Sequence, residues 1–239
     1  MKKIFWGVTL FIALCFINTV GANAFVFFDD FSGNILDTDK WEILKNQGTI
    51  TIKTEDGLTY LSMYGSNGSY LHKRIERRIW VKYGRLESRV MLGGDYNKVG
   101  FGVNGGDNSD IYEGFFFDTL SANEREQEKM LSWRIYKDKG GSSYYEHHLI
   151  DNTFFGEWYT VRIDWMPGIV NFYVDGNKIG EYATSYNKPL PIRIYNDRSS
   201  EFKVDYIKYS PIPEPSTFLL LLSGLLGLFA IRPKIHRKA

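Results

Sequence analysis

The sequence predicts an all-β domain, a sandwich or barrel of short strands, and three observations carry that expectation. Between residues 25 and 210 there is almost no helical periodicity; β-rich runs recur instead, punctuated by Gly, Asn and Asp, at a spacing of roughly 8–12 residues that suits a sandwich or barrel. Several runs alternate with period two, so that Leu86, Ser88 and Val90 are set to face one way and Glu87 and Arg89 the other. Between "NFYV" and "NKIGEY", Asp175-Gly176 is a dipeptide that favours a two-residue hairpin turn.

Taken in order, the strand-like runs are TITIKTE (49–55), TYLSMY (59–64), GRLESRVML (84–92), KVGFGVN (98–104), IYEGFFFD (111–118), MLSWRIYK (130–137), YTVRIDW (159–165), IVNFYVD (169–175) and FKVDYIKY (202–209). No internal repeat or linker interrupts them, which makes residues 25–210 one domain, long enough to bury its own core. Lys73, Arg74, Arg77 and Arg78 form a local basic cluster that reads as a solvated strand edge.

Both ends read as targeting segments. Residues 1–24 combine Lys2 and Lys3, a mostly apolar run from Ile4 to Val20, and the small-x-small pattern of Ala22 and Ala24. That is the form of a secretory signal peptide cut after Ala24 by signal peptidase. Cys15 does not make a lipoprotein site, because Leu14 before it is too bulky. It is also the single cysteine, so the mature chain has neither a disulfide nor a thiolate nucleophile. At the other end, residues 211–217 hold Pro213-Glu214-Pro215, residues 218–231 are apolar or small, and residues 232–239 carry Arg232, Lys234, Arg237 and Lys238. As a helix, 218–231 would span about 21 Å; Ser216, Thr217 and snorkelling basic residues extend it toward the ~30 Å of a bilayer core. The basic tail would then stay cytoplasmic.

This C-terminal arrangement closely resembles the PEP-CTERM sorting signal of Gram-negative bacteria that make extracellular polysaccharide. The resemblance implies transient residence in the inner membrane, recognition by an exosortase, cleavage near Pro213-Glu214-Pro215, and release or display at the cell surface.

Charge excludes one class of partner. Two of the 29 basic residues precede position 25 and four follow position 210, whereas only Glu214 of the 28 acidic residues lies outside those limits. The domain is therefore about four charges negative, with no electrostatic footprint for nucleic acid.

Four further stretches are similar to landmarks of the concanavalin A-like jelly roll, and of family-16 glycoside hydrolases above all. They are FFDDFSGNILDTDKWEI, YGRLESRVML, GEWYTVRIDWMPGIVNFYVDGNKIG and FKVDYIKY, in the expected order across nearly all of 25–210. The resemblance implies a jelly-roll β-sandwich, a fold that hosts enzymes, lectins and adhesive modules alike.

In that enzyme family the cleft strand carries Glu-x-Asp-x-Glu, or a bulged form with one more residue before the last Glu. Alternate strand residues share a face, so the three carboxylates line one side of the sugar. The outer two need carboxyl groups ~5–5.5 Å apart for a retaining mechanism. Aligning NSDIYE with the bulged ending puts Asp110 on the middle position and Glu113 on the acid/base, but the nucleophile position falls on Asn108, and an amide is no carboxylate nucleophile. YEGFFFD (112–118) is also similar to the Tyr-Glu-x-x-x-x-Asp strand of 3-keto-disaccharide hydrolase-like domains, with Phe where that strand usually has Gln. The catalytic candidates are therefore Glu113, Asp110 and Asp118. Strand parity sets Phe116 with Tyr112 on one face of a central strand of the concave sheet, and Glu113, Phe115 and Phe117 on the other.

Aromatic rings that could stack on a sugar are Tyr112, Trp133, Tyr144, Tyr145 and Trp158, with Glu113 as a hydrogen-bond acceptor beside them; Trp41 and Trp165 match core positions of the family. His147 and His148 read as solvent-exposed, since adjacent strand residues point opposite ways and cannot grip one ion. No cofactor is required. The resemblance implies one structural Ca²⁺ held by Asp205 of the terminal "VDY" with Asp30 or Gly33, an oxygen-only set suited to calcium. The favoured reading is a non-catalytic β-sandwich that binds or embeds in extracellular polysaccharide; the alternatives are an atypical glycoside hydrolase and a purely structural matrix protein.

Overall fold

The computed structural model describes residues 27–46, 48–65, 73–93, 99–104, 111–119, 131–139, 142–151, 153, 155–196 and 200–212. The expected signal peptide (1–24) and the segment from Pro213 onward lie outside them. Fifteen strands follow in chain order among the described residues: β1 (Phe27–Asp29), β2 (Trp41–Asn46), β3 (Gly48–Glu55), β4 (Leu58–Gly65), β5 (Lys73–Val81), β6 (Gly84–Leu92), β7 (Val99–Asn104) and β8 (Ile111–Thr119). They continue with β9 (Leu131–Lys139), β10 (Ser142–Leu149), β11 (Trp158–Met166), β12 (Ile169–Val174), β13 (Asn177–Ala183), β14 (Leu190–Asn196) and β15 (Phe202–Ser210).

These strands make two antiparallel sheets. One runs β13-β12-β11-β6-β15-β4-β3, with β1 added on β15; the other runs β10-β9-β8-β7-β14-β5-β2. The alternation read from β6 holds: Leu86, Ser88 and Val90 are buried, while Glu87 and Arg89 reach Lys208 and Asp205 on the outer face. The hairpin expected at Asp175-Gly176 joins β12 to β13, with φ of 48° and 82°. Both angles lie in the left-handed region that a type I′ turn requires and Asp-Gly tolerates.

Of the strands absent from the runs read in the sequence, β5 and β14 bear on the site. β5 includes the basic cluster, and far from being a sheet edge it lies between β14 and β2. β14 begins Leu190-Pro191, and proline normally argues against an inner strand because it cannot donate to the ladder. Here Pro191 sits at a register shift in the β5 pairing and beyond the β7 pairing, which starts at Ile192. Its missing N–H therefore falls where the ladder is already interrupted.

The core lies between the sheets. Trp41, Leu61, Met63, Phe101, Phe115, Phe117, Phe172 and Phe202 are fully buried there. Trp133 stacks between His148 (3.8 Å, 9°) and Phe172 (4.7 Å, 21°). His148 is thus half-buried, with its Nε2 2.8 Å from Glu146 Oε1 rather than free in solvent. At the start of the domain Asp29 accepts hydrogen bonds from Trp41 Nε1 (2.6 Å) and the Phe31 amide (3.1 Å). This fastens β1 and the loop after it to β2 of the other sheet.

The outer face of the eight-stranded sheet is covered by its own cross-strand pairs. Arg85 grips Asp164 with two hydrogen bonds (2.9 and 3.1 Å), and Arg89 pairs with Asp205 at 3.0 Å. Glu201 takes hydrogen bonds from Ser62 (2.5 Å) and Lys53 (3.0 Å), and Lys203 joins it at 3.6 Å. Burial works against ionising Glu201, but the Ser62 and Lys53 hydrogen bonds outweigh it and hold its pKa below the ordinary glutamate value. A lowered folded pKa adds stability above the ordinary value, and that stability is lost as pH falls through the folded pKa. Glu201→Gln should therefore lower Tm relative to the parent above about pH 5, near where free glutamate is ionised. The gap should close as acid protonates Glu201 in the parent, which thermal unfolding followed by circular dichroism from pH 7 to 3 would show.

Candidate functional site

β8 carries the candidate carboxylates, and its neighbours decide what each can do. Phe115 and Phe117 point into the core, and Phe116 packs on the opposite, outer face against Tyr136 and Tyr195. The parity expected for these three rings holds. By the same alternation Gly114 and Asp118 share the outer row with Phe116.

Across that face the pairing places Tyr195 of β14, Gly100 of β7, Asp118 of β8 and Ser132 of β9 in one row. Gly100 is needed there: a Cβ at this position would lie 2.4 Å from the Tyr195 ring. The ring lies over the bare backbone of β7, and its hydroxyl donates to Asp118 Oδ2 at 3.0 Å, two strands away. Arg134, from the next row of β9, places Nε 2.7 Å from the same oxygen and donates from Nη2 to the Tyr195 hydroxyl at 2.8 Å. Ser132 Oγ donates to Asp118 Oδ1 at 2.9 Å. Both carboxylate oxygens are thus occupied, Asp118 is 0 % exposed, and Phe116, Arg134, Tyr136, Arg193 and Tyr195 of the same face are buried with it. A general acid or nucleophile must touch the substrate; this carboxylate touches only its own protein.

Glu113 turns the other way. It shares the inward parity of Phe115 and, near the start of β8, accepts a hydrogen bond from Thr184 Oγ1. Lys137, its cross-strand partner, stands 3.8 Å off. Burial disfavours the Lys137 charge, but the Tyr182 hydroxyl and then the Glu113 charge outweigh this and raise its pKa. Burial, reinforced by the Glu113 charge, likewise pushes the Tyr186 phenol up. Glu113 and Asp118 lie on opposite faces and five residues apart, about 16 Å along an extended strand. Glycosidase carboxylates sit ~5–5.5 Å apart in retaining enzymes and ~6.5–9.5 Å apart in inverting ones. These two do not form a catalytic pair. Asp110 and Asn108 lie outside the described residues.

The two expected sugar-stacking rings whose side chains are described, Trp133 and Trp158, lie on different sheets. Trp133 is 5 % exposed and sandwiched in the core, so neither of its faces is open; even Gly180 is pressed against it, where a Cβ would lie 2.5 Å from the indole. Trp158 is half-buried on the outer face of the other sheet, with the Arg89 guanidinium 5.0 Å from its ring centre and Tyr60 edge-on at 6.0 Å. Tyr112 belongs to β8 and Tyr144 and Tyr145 to β10, but their side chains lie outside the described set. Glu113, expected as a sugar acceptor, faces away from the outer aromatic face. Sequence reasoning passed over Trp80, which the structure leaves 54 % exposed. The signal was present: it is the one aromatic in the charged run KRIERRIWV, next to the core residue Val81.

The residues expected to hold calcium have other partners in this structure. Asp205 Oδ2 already has a guanidinium 3.0 Å away, Asp30 Oδ1 caps the Ser32 amide at 3.2 Å, and Gly33 lies in the following bend. The Ser32 hydrogen bond, opposed by slight burial, lowers the Asp30 pKa. The buried acidic residue at this end is Asp29, committed to Trp41, Phe31 and Lys40. Among the described residues no group of three or more His, Cys, Asp or Glu side chains could hold a metal ion, and no helix is long and apolar enough to cross a membrane.

Comparison with known proteins adds two findings. Residues 211–238 match the PEP-CTERM protein-sorting motif. Compared by sequence with curated proteins, the chain has no match. Compared by structure, it is similar to a mixed-linkage-glucan family-16 glycoside hydrolase of Bacteroides ovatus solved with a product, at 14% identity and TM-score 0.60, covering 77% of this chain and 99% of that one. It is also similar to a Bacillus licheniformis β-glucanase (13%, TM-score 0.59, 78% and 98%) and to a laminarinase from Flavobacterium sp. UMI-01 (17%, TM-score 0.59, 78% and 99%). At such identities the likeness concerns the fold. The chain is a concanavalin A-like jelly roll carrying a PEP-CTERM motif, and thus an exported, exosortase-sorted protein of the cell surface or extracellular space.

Proposed function

We propose that this protein is a non-catalytic polysaccharide-binding module, displayed at or released from the surface of a Gram-negative cell, where it binds or embeds in extracellular glycan. The observation that carries this reading is the outer row of β8. Asp118, the carboxylate of that row, is fully buried against Arg134, Tyr195 and Ser132, and Asn108 stands where the resemblance to family-16 hydrolases expects the nucleophile. Double displacement needs a carboxylate free to attack and a second one to donate a proton, and Glu113 on the opposite face supplies neither role beside Asp118. The sorting motif supports the extracellular setting, and the similarity to glucan-cleaving enzymes supports a glycan as ligand.

Incubated with laminarin and mixed-linkage β-glucan, the exported protein should release no reducing sugar while being retarded by one or more matrix glycans in affinity electrophoresis. Hydrolysis that disappears in Glu113→Gln or Asp118→Asn would overturn the reading in favour of an atypical glycoside hydrolase. Absence of affinity for any glycan would favour a structural matrix protein.

The reading needs no cofactor. Because Arg89 supplies the positive charge beside Asp205, removing calcium with EGTA should leave Tm unchanged. A fall of several degrees on chelation, restored by added Ca²⁺, would contradict this.

A further inference from the structure

The buried network on the outer face of the seven-stranded sheet leaves open the question of where a glycan would touch it. Asp118, Phe116, Arg134, Tyr136, Arg193 and Tyr195 are all buried, so the middle of the face offers little to a ligand. The same face continues to β5. Along β14, Leu190, Ile192 and Ile194 are core residues, so Pro191, Arg193 and Tyr195 point outward. Trp80 is the cross-strand partner of Pro191, and Val81 beside it is buried in the core. Trp80 therefore stands on the outer face, level with Pro191 and two residues along β14 from Arg193. On its other side the β2 ladder stops at Trp41 opposite Arg77, so no strand is paired beyond Trp80.

Its exposure is unlike that of the other described tryptophans. Trp41, Trp133 and Trp165 are buried and Trp158 is half-buried under Arg89, whereas more than half of Trp80 is open. Burying an indole is among the most favourable single-residue contributions to a core, and this one is withheld from it. We infer that Trp80 is a stacking platform for one ring of a neutral hexose polysaccharide, a subsite displaced to the β5 end of the face because the middle is filled by the Asp118 network. The inference rests on the polysaccharide-binding reading proposed above.

Size and charge favour that occupant. Among the described residues the exposed large hydrophobics are Phe28, Ile35, Ile43 and Trp80. Phe28 belongs to β1 in the other sheet, Ile35 to the loop after β1, and Ile43 shares the parity of the core residue Trp41. Among the described residues Trp80 is thus the one exposed large hydrophobic placed on the outer face of the seven-stranded sheet. A specific protein interface buries about 800 Å² per partner, far more than one indole offers, whereas a pyranose C–H face matches a single ring. The domain as a whole is net negative, which disfavours a polyanionic chain, whereas β5 itself carries Lys73, Arg74, Arg77 and Arg78. Tighter binding of an acidic glycan than of the glucans would therefore overturn the neutral assignment.

The test compares the exported protein with Trp80→Ala and Trp80→Phe, using laminarin and mixed-linkage β-glucan as probes. Affinity is read by titration, tryptophan emission is followed on binding, and circular dichroism confirms the fold. Trp80→Ala should weaken binding about tenfold, the scale of one well-made aromatic contact, and should abolish most of the emission change. Trp80→Phe should retain much of the affinity. Folded Trp80→Ala protein that binds as the parent does would overturn the subsite and leave the binding reading intact. A parent protein with no affinity for either glucan or for other neutral matrix glycans would overturn both. A dimer of the parent lost in Trp80→Ala would also overturn the inference, assigning the indole to protein contact.

Discussion

A carboxylate with no exposed surface, on the outer side of a sheet, is costly unless every oxygen is paired. Asp118 meets that requirement with Arg134, Tyr195 and Ser132, and the rest of the face is arranged around the pairing. Gly100 exists to let the Tyr195 ring cross β7, and Phe116 lies 5.5 Å from the Arg134 guanidinium. Taking either partner away would leave a buried charge uncompensated, typically a loss of about 3–5 kcal/mol. The result is a closed network spanning three adjacent strands and β14. The contacts that close this face also hold β9, β8 and β14 together.

Much of this was legible in the sequence, and the misses have identifiable causes. Period-two alternation and the Asp-Gly turn located β6, β12 and the hairpin, because both signals are local. The three phenylalanines of β8 declared a strand apolar on both sides, and Phe116 is indeed as buried as its neighbours. What could not be read was which long-range partner each polar group meets. Asp118 finds Tyr195 77 residues away, and Glu113 finds Thr184 71 residues away. Trp133 looked like a ligand ring because nothing local says that Phe172 and His148 will close over its two faces. Trp80 was overlooked because the charges around it in KRIERRIWV suggested a solvated edge, and β14 because of its proline.

The export signals and the fold also meet in one place. β1 pairs antiparallel with β15, Phe27 opposite Tyr209. The first described strand and the strand that precedes Pro213 are therefore hydrogen-bonded neighbours. Only Pro211 and Ile212 separate Ser210 from the Pro-Glu-Pro sequence. The outer face of the eight-stranded sheet above this corner carries its own ion pairs.

The central claim is that Asp118 serves structure and not chemistry, and a double-mutant cycle tests it most directly. Stability to urea would be measured for Asp118→Leu, Arg134→Met and the two together. Each single change should cost about 3–5 kcal/mol by stranding a buried partner, while the pair should cost clearly less than the sum because no charge is left behind. The folded double variant should bind glycan as the parent does. Strictly additive losses, or an Asp118 variant as stable as the parent but stripped of a measurable hydrolytic activity, would contradict the account.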